Sequence, residues 1–292
     1  MIALLPGIAA TDAAVALREA ARAAGDVVGA AGASSDYFRA YLRWATEQLR
    51  MIRSKVRPED LDLLITSRQD WAIQGITVGG YGDHLGEFIK LELAERIDQL
   101  KASADELEAE QRRWSIPSME ATFPDALTPV VVDTVFLMHH HAELATFDWS
   151  KALGTRPDRS LGIAVPIAVV RELDKLKRSN AQMVIDGQKI ATRSLARQAL
   201  RVLAGHLGGA DNTLLREAGW DEGPVARLHL LLMNDSLGHR PLDVPDYEII
   251  DRATTLLPFA KEVYLVTYDS AMAFTARQTP LKVVQLTEAD DT

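Results

Sequence analysis

The chain has 292 residues, 47% hydrophobic and 25% charged, the composition of an ordinary soluble globular protein of about two domains. It contains no cysteine, which excludes disulfides, thiolate zinc sites and cysteine nucleophiles. The formal net charge of -9 argues against a protein that coats nucleic acid through bulk electrostatics. An enzyme that grips its substrate locally, with metal ions supplying positive charge, remains compatible with it.

The chain opens with MIALLPGIAATDAA, which has no basic residue before a short apolar run. That run is too short to span a bilayer, so neither a signal peptide nor a membrane segment is expected, and a cytoplasmic location is. From residue 10 to about 114 the periodicity is helical. Ser35 and Asp36 can cap a helix through YFRAYLRWATEQLRMIR, and Pro58 with Glu59 and Asp60 makes a good first turn for the next. Gly79, Gly80 and Gly82 then break the chain; no Lys-Ser or Lys-Thr pair follows them, so they form no phosphate loop. From about His84 to Trp114, Leu93, Ile97, Leu100, Ala104 and Leu107 draw an amphipathic stripe on a long helix, suited to packing on its own domain or against a second copy or partner. Arg39, Arg43, Arg50 and Arg53 line another helix face in this region.

The segment IPSMEATFPDALTP, with prolines at 117, 124 and 129, blocks a continuous helix and sets the boundary between a helical domain at 1–120 and a second domain at 126–292. Beyond it strands and helices alternate. Strands are expected at Val130–Val132, Ile163–Val165, Leu228–Leu232, Val263–Val266 and Lys282–Gln285. Helices are expected near Phe136–Ala145, through Leu173, over Ile190–Leu203, from Asp246 and from Ser270. Short apolar strands alternating with helices imply an α/β fold with a mostly parallel sheet covered on both faces.

Four acids stand at strand ends or at the starts of the helices that follow: Asp133 in PVVVDTVFL, Glu172 in AVPIAVVRELDKLK, Asp246 in VPDYEIIDRA and Asp269 in VYLVTYDSAMAF. In an open parallel sheet, ligands bind beyond the carboxyl ends of the strands, so these carboxylates are expected to meet in one crevice. Such a cluster needs a cation, and hard oxygen donors suit Mg²⁺ or Mn²⁺. The chemistry expected is metal-dependent phosphodiester hydrolysis. Over roughly residues 128 to 287 these motifs resemble the PIN-domain nucleases. The resemblance implies a PIN-like domain, preceded here by the all-helical region, that cuts single-stranded RNA in preference to DNA, with Asp133, Asp246 and Asp269 holding metal and Glu172 holding a second ion or positioning the water.

Each acid also has a plainer reading. Asp133 and Asp246 can simply cap helices, Asp251 competes with Asp246, and Glu172 can be half of a solvated ion pair. Thr134 resembles the hydroxyl that follows the family's first Asp, and Thr267 can orient carboxylates; both are placed with the substrate-binding residues. Val135 and Tyr268 stand where the family usually carries asparagine. Lys189, Arg193, Arg197 and Arg201, four residues apart, read as one basic helix stripe that either lines the substrate groove or faces water. His139, His140 and His141 are consecutive and cannot converge on one ion. The competing function is a PIN-like binding module whose catalysis has lapsed, acting through its N-terminal helices. An aspartyl-phosphate phosphatase would need a DxD that Asp133-Thr134-Val135 does not supply.

Overall fold

The structure, a computed structural model, describes residues 2–30, 33–76, 84–116, 125–185, 187–219, 227–235 and 239–287. The glycine break at Gly79, Gly80 and Gly82, and the linker prolines 117 and 124, lie outside the described residues. The chain forms two compact units, Met1–Arg113 and Trp114–Thr292.

The first unit is helical: α1 (Ala10–Gly29), α2 (Ser34–Ile52), α3 (Pro58–Leu64), α4 (Arg68–Gln74) and α5 (Leu85–Arg113). Alanines bury one face of α1, at Ala13, Ala20 and Ala24 among others, and small side chains let this helix pack closely along α5. In α5, Leu93, Leu100, Ala104 and Leu107 are buried as the stripe predicts, whereas Ile97 is only half-buried and Arg96 is buried beside it. Arg96 is held by Glu92 at 3.1 Å, and Glu92 accepts a hydrogen bond from Ser67 at 2.6 Å, so a charge takes an interior position because a partner is fixed there. Pro58 occupies the first helical position of α3 as expected, while α2 starts from Ala33, with Asp36 reaching back to the Ala33 amide at 3.3 Å. Arg39, Arg43, Arg50 and Arg53 are all exposed.

The second unit begins with two short antiparallel strands, β1 (Ser115–Ile116) and β2 (Asp125–Ala126). Then follow β3 (Thr128–Val132), α6 (Thr134–His140), α7 (Trp149–Leu153), β4 (Leu161–Pro166), α8 (Ile167–Leu176), β5 (Gln182–Ile185), β6 (Gln188–Ala191) and α9 (Thr192–Leu207). The chain continues through β7 (Asn212–Arg216), β8 (Leu228–Met233), α10 (Pro245–Thr254), β9 (Tyr264–Thr267), α11 (Ser270–Ala276) and β10 (Lys282–Gln285). Six strands form the main sheet in the order β10-β9-β3-β4-β8-β7; all neighbours run parallel except the edge strand β7, which is antiparallel to β8. Every residue of β3, β4 and β9 is buried, the mark of strands covered on both sides.

The pattern expected from sequence is therefore present, with additions. Pro129, the third linker proline, lies inside β3. The helix after Asp133 ends at His140 rather than continuing to Ala145. Ile190, expected to start a helix, lies instead in a strand of a hairpin, β5 pairing with β6 in the register Gln182↔Ala191, so Lys189 and Ile190 are strand residues and the helix begins at Thr192.

Gly162 in β4 shows how tightly this core is filled. A Cβ there would lie 2.9 Å from Leu231 Cδ1 and 3.1 Å from Trp114 Cζ3. Both neighbours are themselves buried, so they have little room to yield. Gly162→Ala is expected to cost about 1–3 kcal/mol by overpacking, read as a lower urea midpoint at unchanged m-value. A midpoint equal to wild type would show that this core gives way freely.

Candidate active site

The central strand β3 hands the chain to β4 on one side, and the chain returns much later to place β9 on the other. In open sheets of this kind ligands bind beyond the carboxyl ends of the strands where the winding reverses. Asp133 stands there, directly after β3, with its amide donating to Val266 O of β9 at 3.3 Å. Its side chain is 3% exposed. Oδ1 accepts from the Phe136 amide at 2.6 Å, capping α6, and Oδ2 accepts from the Thr267 hydroxyl at 2.5 Å. Burial pushes its pKa up to about 6, against the Thr267 hydroxyl and the Phe136 and Tyr268 amides, which favour the charged form; the negative charge of Glu172 adds to the rise.

Asp269 repeats the device one strand over. It caps α11, Oδ1 accepting from the Met272 amide at 2.8 Å, and its own amide donates to Thr267 Oγ1 at 2.9 Å. One fully buried hydroxyl thus fixes two acid positions, donating to Asp133 and accepting from the backbone of Asp269. Glu172, half-buried on α8, is held by the buried Thr134, whose hydroxyl donates to Oε2. Thr267 orients a carboxylate as expected and is completely buried, and Thr134, nearly as buried, does the same for Glu172; neither side chain faces the substrate side where both were also placed. Asp246 lies second in α10 behind Pro245, which is the first helical residue and not outside the helix as its cap reading requires. No side chain caps α10, so that plainer role is not filled. Burial and the charge of Asp269 raise the pKa of Asp246.

For Asp133 and Asp269, capping and metal binding are not alternatives. A carboxylate has about four lone-pair sites, so one hydrogen bond to a helix amide fixes its rotamer and leaves acceptors for a ligand. The rival of Asp246 is occupied elsewhere: Asp251 pairs with Arg252 at 3.0 Å.

A PIN domain family model matches residues 130–287, more than half of the chain, from within β3 to just beyond β10. The chain belongs to the PIN domain family. The PIN domain is a nuclease-type fold, and the acids that carried the resemblance all lie in the matched span. No curated protein matches the chain closely.

The donor set of the PIN domain suits a hard divalent cation. It is all oxygen, one acid is stripped of water, and the charges act in pairs, Asp133 with Glu172 and Asp246 with Asp269. The four acids do not crowd; among the described residues the one group whose ligand atoms all lie within 4.8 Å of one another is Asp235, His239 and Glu248. That trio already holds donors, although the buried Asp235 Oδ1 accepts none. Asp235 accepts from Arg171 at 2.8 Å; Glu248 meets His239 at 2.7 Å, the Leu242 amide at 2.9 Å and Arg252 at 3.5 Å. It ties the loop after β8 to α8 and α10. No three of the four acids bring ligand atoms within 4.8 Å of one another, which accords with Mg²⁺, an ion that keeps several waters and takes one or two carboxylates directly.

The basic stripe needs correction. Arg193, Arg197 and Arg201 are exposed along α9, but Lys189 is in β6 of the hairpin and does not continue their helical row. The three histidines do separate tasks. His139 stacks on Tyr268 with ring centroids 4.6 Å apart, His140 is buried with Nε2 2.6 Å from the Tyr268 hydroxyl, and His141 Nε2 lies 3.0 Å from Gln198 Oε1 of α9. Tyr268, a departure from the family pattern, is therefore the anchor for two of them; the sequence showed the histidine run and the odd tyrosine, and only their contact was illegible.

Proposed function

We propose that the PIN domain is a Mg²⁺- or Mn²⁺-dependent nuclease that hydrolyses phosphodiester bonds, with single-stranded RNA as its substrate. The observation that carries this reading is Asp133, a carboxylate buried at the point where the sheet reverses its winding, facing a second carboxylate. Leaving such an acid charged is costly unless a cation offsets it. Asp133, Asp246, Asp269 and Glu172 would hold the metal. A divalent ion bound there supplies a Lewis acid for the phosphoryl oxygens and lowers the pKa of a water. Thr267 keeps Asp133 aimed, and Thr134 keeps Glu172 aimed. Glu172, the acid held from a helix and half open to solvent, would orient the attacking water and accept its proton at a carboxylate oxygen. The RNA preference rests on family membership. Among the described residues no helix is long and apolar enough to cross a membrane.

The test is digestion of labelled RNA and DNA, single- and double-stranded, with Mn²⁺ present or chelated. Cleavage of single-stranded RNA that stops on chelation is expected. Binding without cleavage under every divalent ion would leave a nucleic-acid-binding module and end the enzymatic reading.

The arginines of α9 give a second test. If Arg193 and Arg197 each grip a phosphate of a single strand, removing either guanidinium lowers the slope of log affinity against log salt by about 0.7. Replacing both with glutamine should therefore flatten that slope by roughly 1.4 and weaken binding for all sequences alike. Stability should scarcely change, since exposed charges contribute little. An unchanged slope would make this face of α9 simply solvated.

A further inference from the structure

Beside the acids lies a groove of a different chemical character. It has a volume of about 400 Å³ and is lined by Val135, His139, Met183, Val184, Tyr268 and Gln285, with Ser270 and the first residues after β10 at its rim. That size is within the roughly 300–1,000 Å³ of small-molecule sites. Among the described residues no aspartate, glutamate, lysine or arginine lines it, although charged residues are a quarter of the chain. The described cation that reaches its lining, Arg277, is turned onto Gln285 Oε1 at 3.4 Å. An uncharged, flat group finds stacked rings, His139 on Tyr268 at 4.6 Å and 23°, and aliphatic side chains from the β5–β6 hairpin, where Val184 is 43% exposed.

The groove adjoins the acids through the chain itself. Tyr268 is next to Asp269, its amide helps hold the Asp133 carboxylate, and Val135 is two residues beyond Asp133. The aromatic pair is anchored: the Tyr268 hydroxyl is tied to the buried His140, and Ser270 is bonded to Gln285 at 2.8 Å. Rings fixed in this way lose little entropy when a partner stacks on them.

We propose that this groove receives a nucleobase of the substrate strand beside the scissile phosphate, stacking on the His139–Tyr268 pair. The inference rests on the nuclease reading for its substrate class and adds a contact that the acids do not make. It also gives the two departures from the family pattern, Val135 and Tyr268, a shared use: both line the groove.

The experiment measures binding of the full chain carrying Asp133→Asn, so that nothing is cut, to a labelled ten-nucleotide single-stranded RNA and to the same backbone made wholly abasic. The base-bearing strand should bind about 5- to 150-fold more tightly, the effect of one stacked base. Adding Tyr268→Ala should erase that difference and leave binding to the abasic strand unchanged. Adding Tyr268→Phe, which keeps the ring and loses only the tie to His140, should retain most of it, and this variant guards against a mere folding defect. Equal affinity for the two strands in the parent, or full discrimination surviving in Tyr268→Ala, overturns the proposal. Cleavage by the unsubstituted enzyme is scored separately: base discrimination without cleavage sinks the nuclease reading and leaves the groove, and cleavage without discrimination does the reverse.

Discussion

Asp133→Asn is expected to abolish metal-dependent cleavage while leaving the protein folded. Asparagine caps a helix about as well as aspartate, so α6 keeps its start; what disappears is the buried carboxylate charge beside Glu172. Loss of an outer partner of a metal ligand typically costs about 10- to 100-fold, and loss of a buried ligand charge should exceed that range. The measurement is the initial rate on labelled single-stranded RNA at saturating Mn²⁺, alongside circular dichroism. A variant that cleaves within tenfold of wild type would remove Asp133 from the site.

The second large effect is on stability and pH. Asp133 titrates near 6 in the folded protein against its usual 3.8, so the folded state holds this proton more tightly than the unfolded chain does. Its contribution is most favourable below 3.8, is lost as pH rises to about 6, and is flat above. At 1.36 kcal/mol per pH unit the loss amounts to about 3 kcal/mol. Without divalent ions, Asp133→Asn should therefore be more stable than wild type at neutral pH by an amount of this order, and the gap should close towards pH 4. Mn²⁺ at a hundredfold excess over Kd should add about 2.7 kcal/mol to wild type and little to the variant. Urea midpoints at several pH values with and without Mn²⁺ decide it; parallel curves for the two proteins would show that the buried charge costs nothing and binds nothing.

How far the chain could be read before its structure was known depended on burial. β3, β4 and β9 declared themselves because buried strands are unbroken apolar runs, and Asp133 and Asp269 were visible as the polar residues that end such runs. The hairpin escaped notice because Gln182–Ile185 and Gln188–Ala191 are largely exposed, so no apolar alternation marks them, and Lys189 falls by chance four residues before Arg193. The edge strand β7 was missed for the same reason. Side-chain pairings distant in sequence, such as Thr267 with Asp133 or Tyr268 with His140, leave no local trace, although the residue types were all in view.

The hairpin has an evolutionary consequence. β5 and β6 pair only with each other, in a two-stranded sheet apart from the six-stranded one. Substitutions at Met183 or Val184 therefore disturb neither the register of the main sheet nor the threonine-braced acids. Selection can retune this loop while the chemistry beneath it stays constant, as an interchangeable tip is fitted to a fixed handle. A library confined to residues 182–191 is accordingly the economical place to redirect which strands the protein accepts.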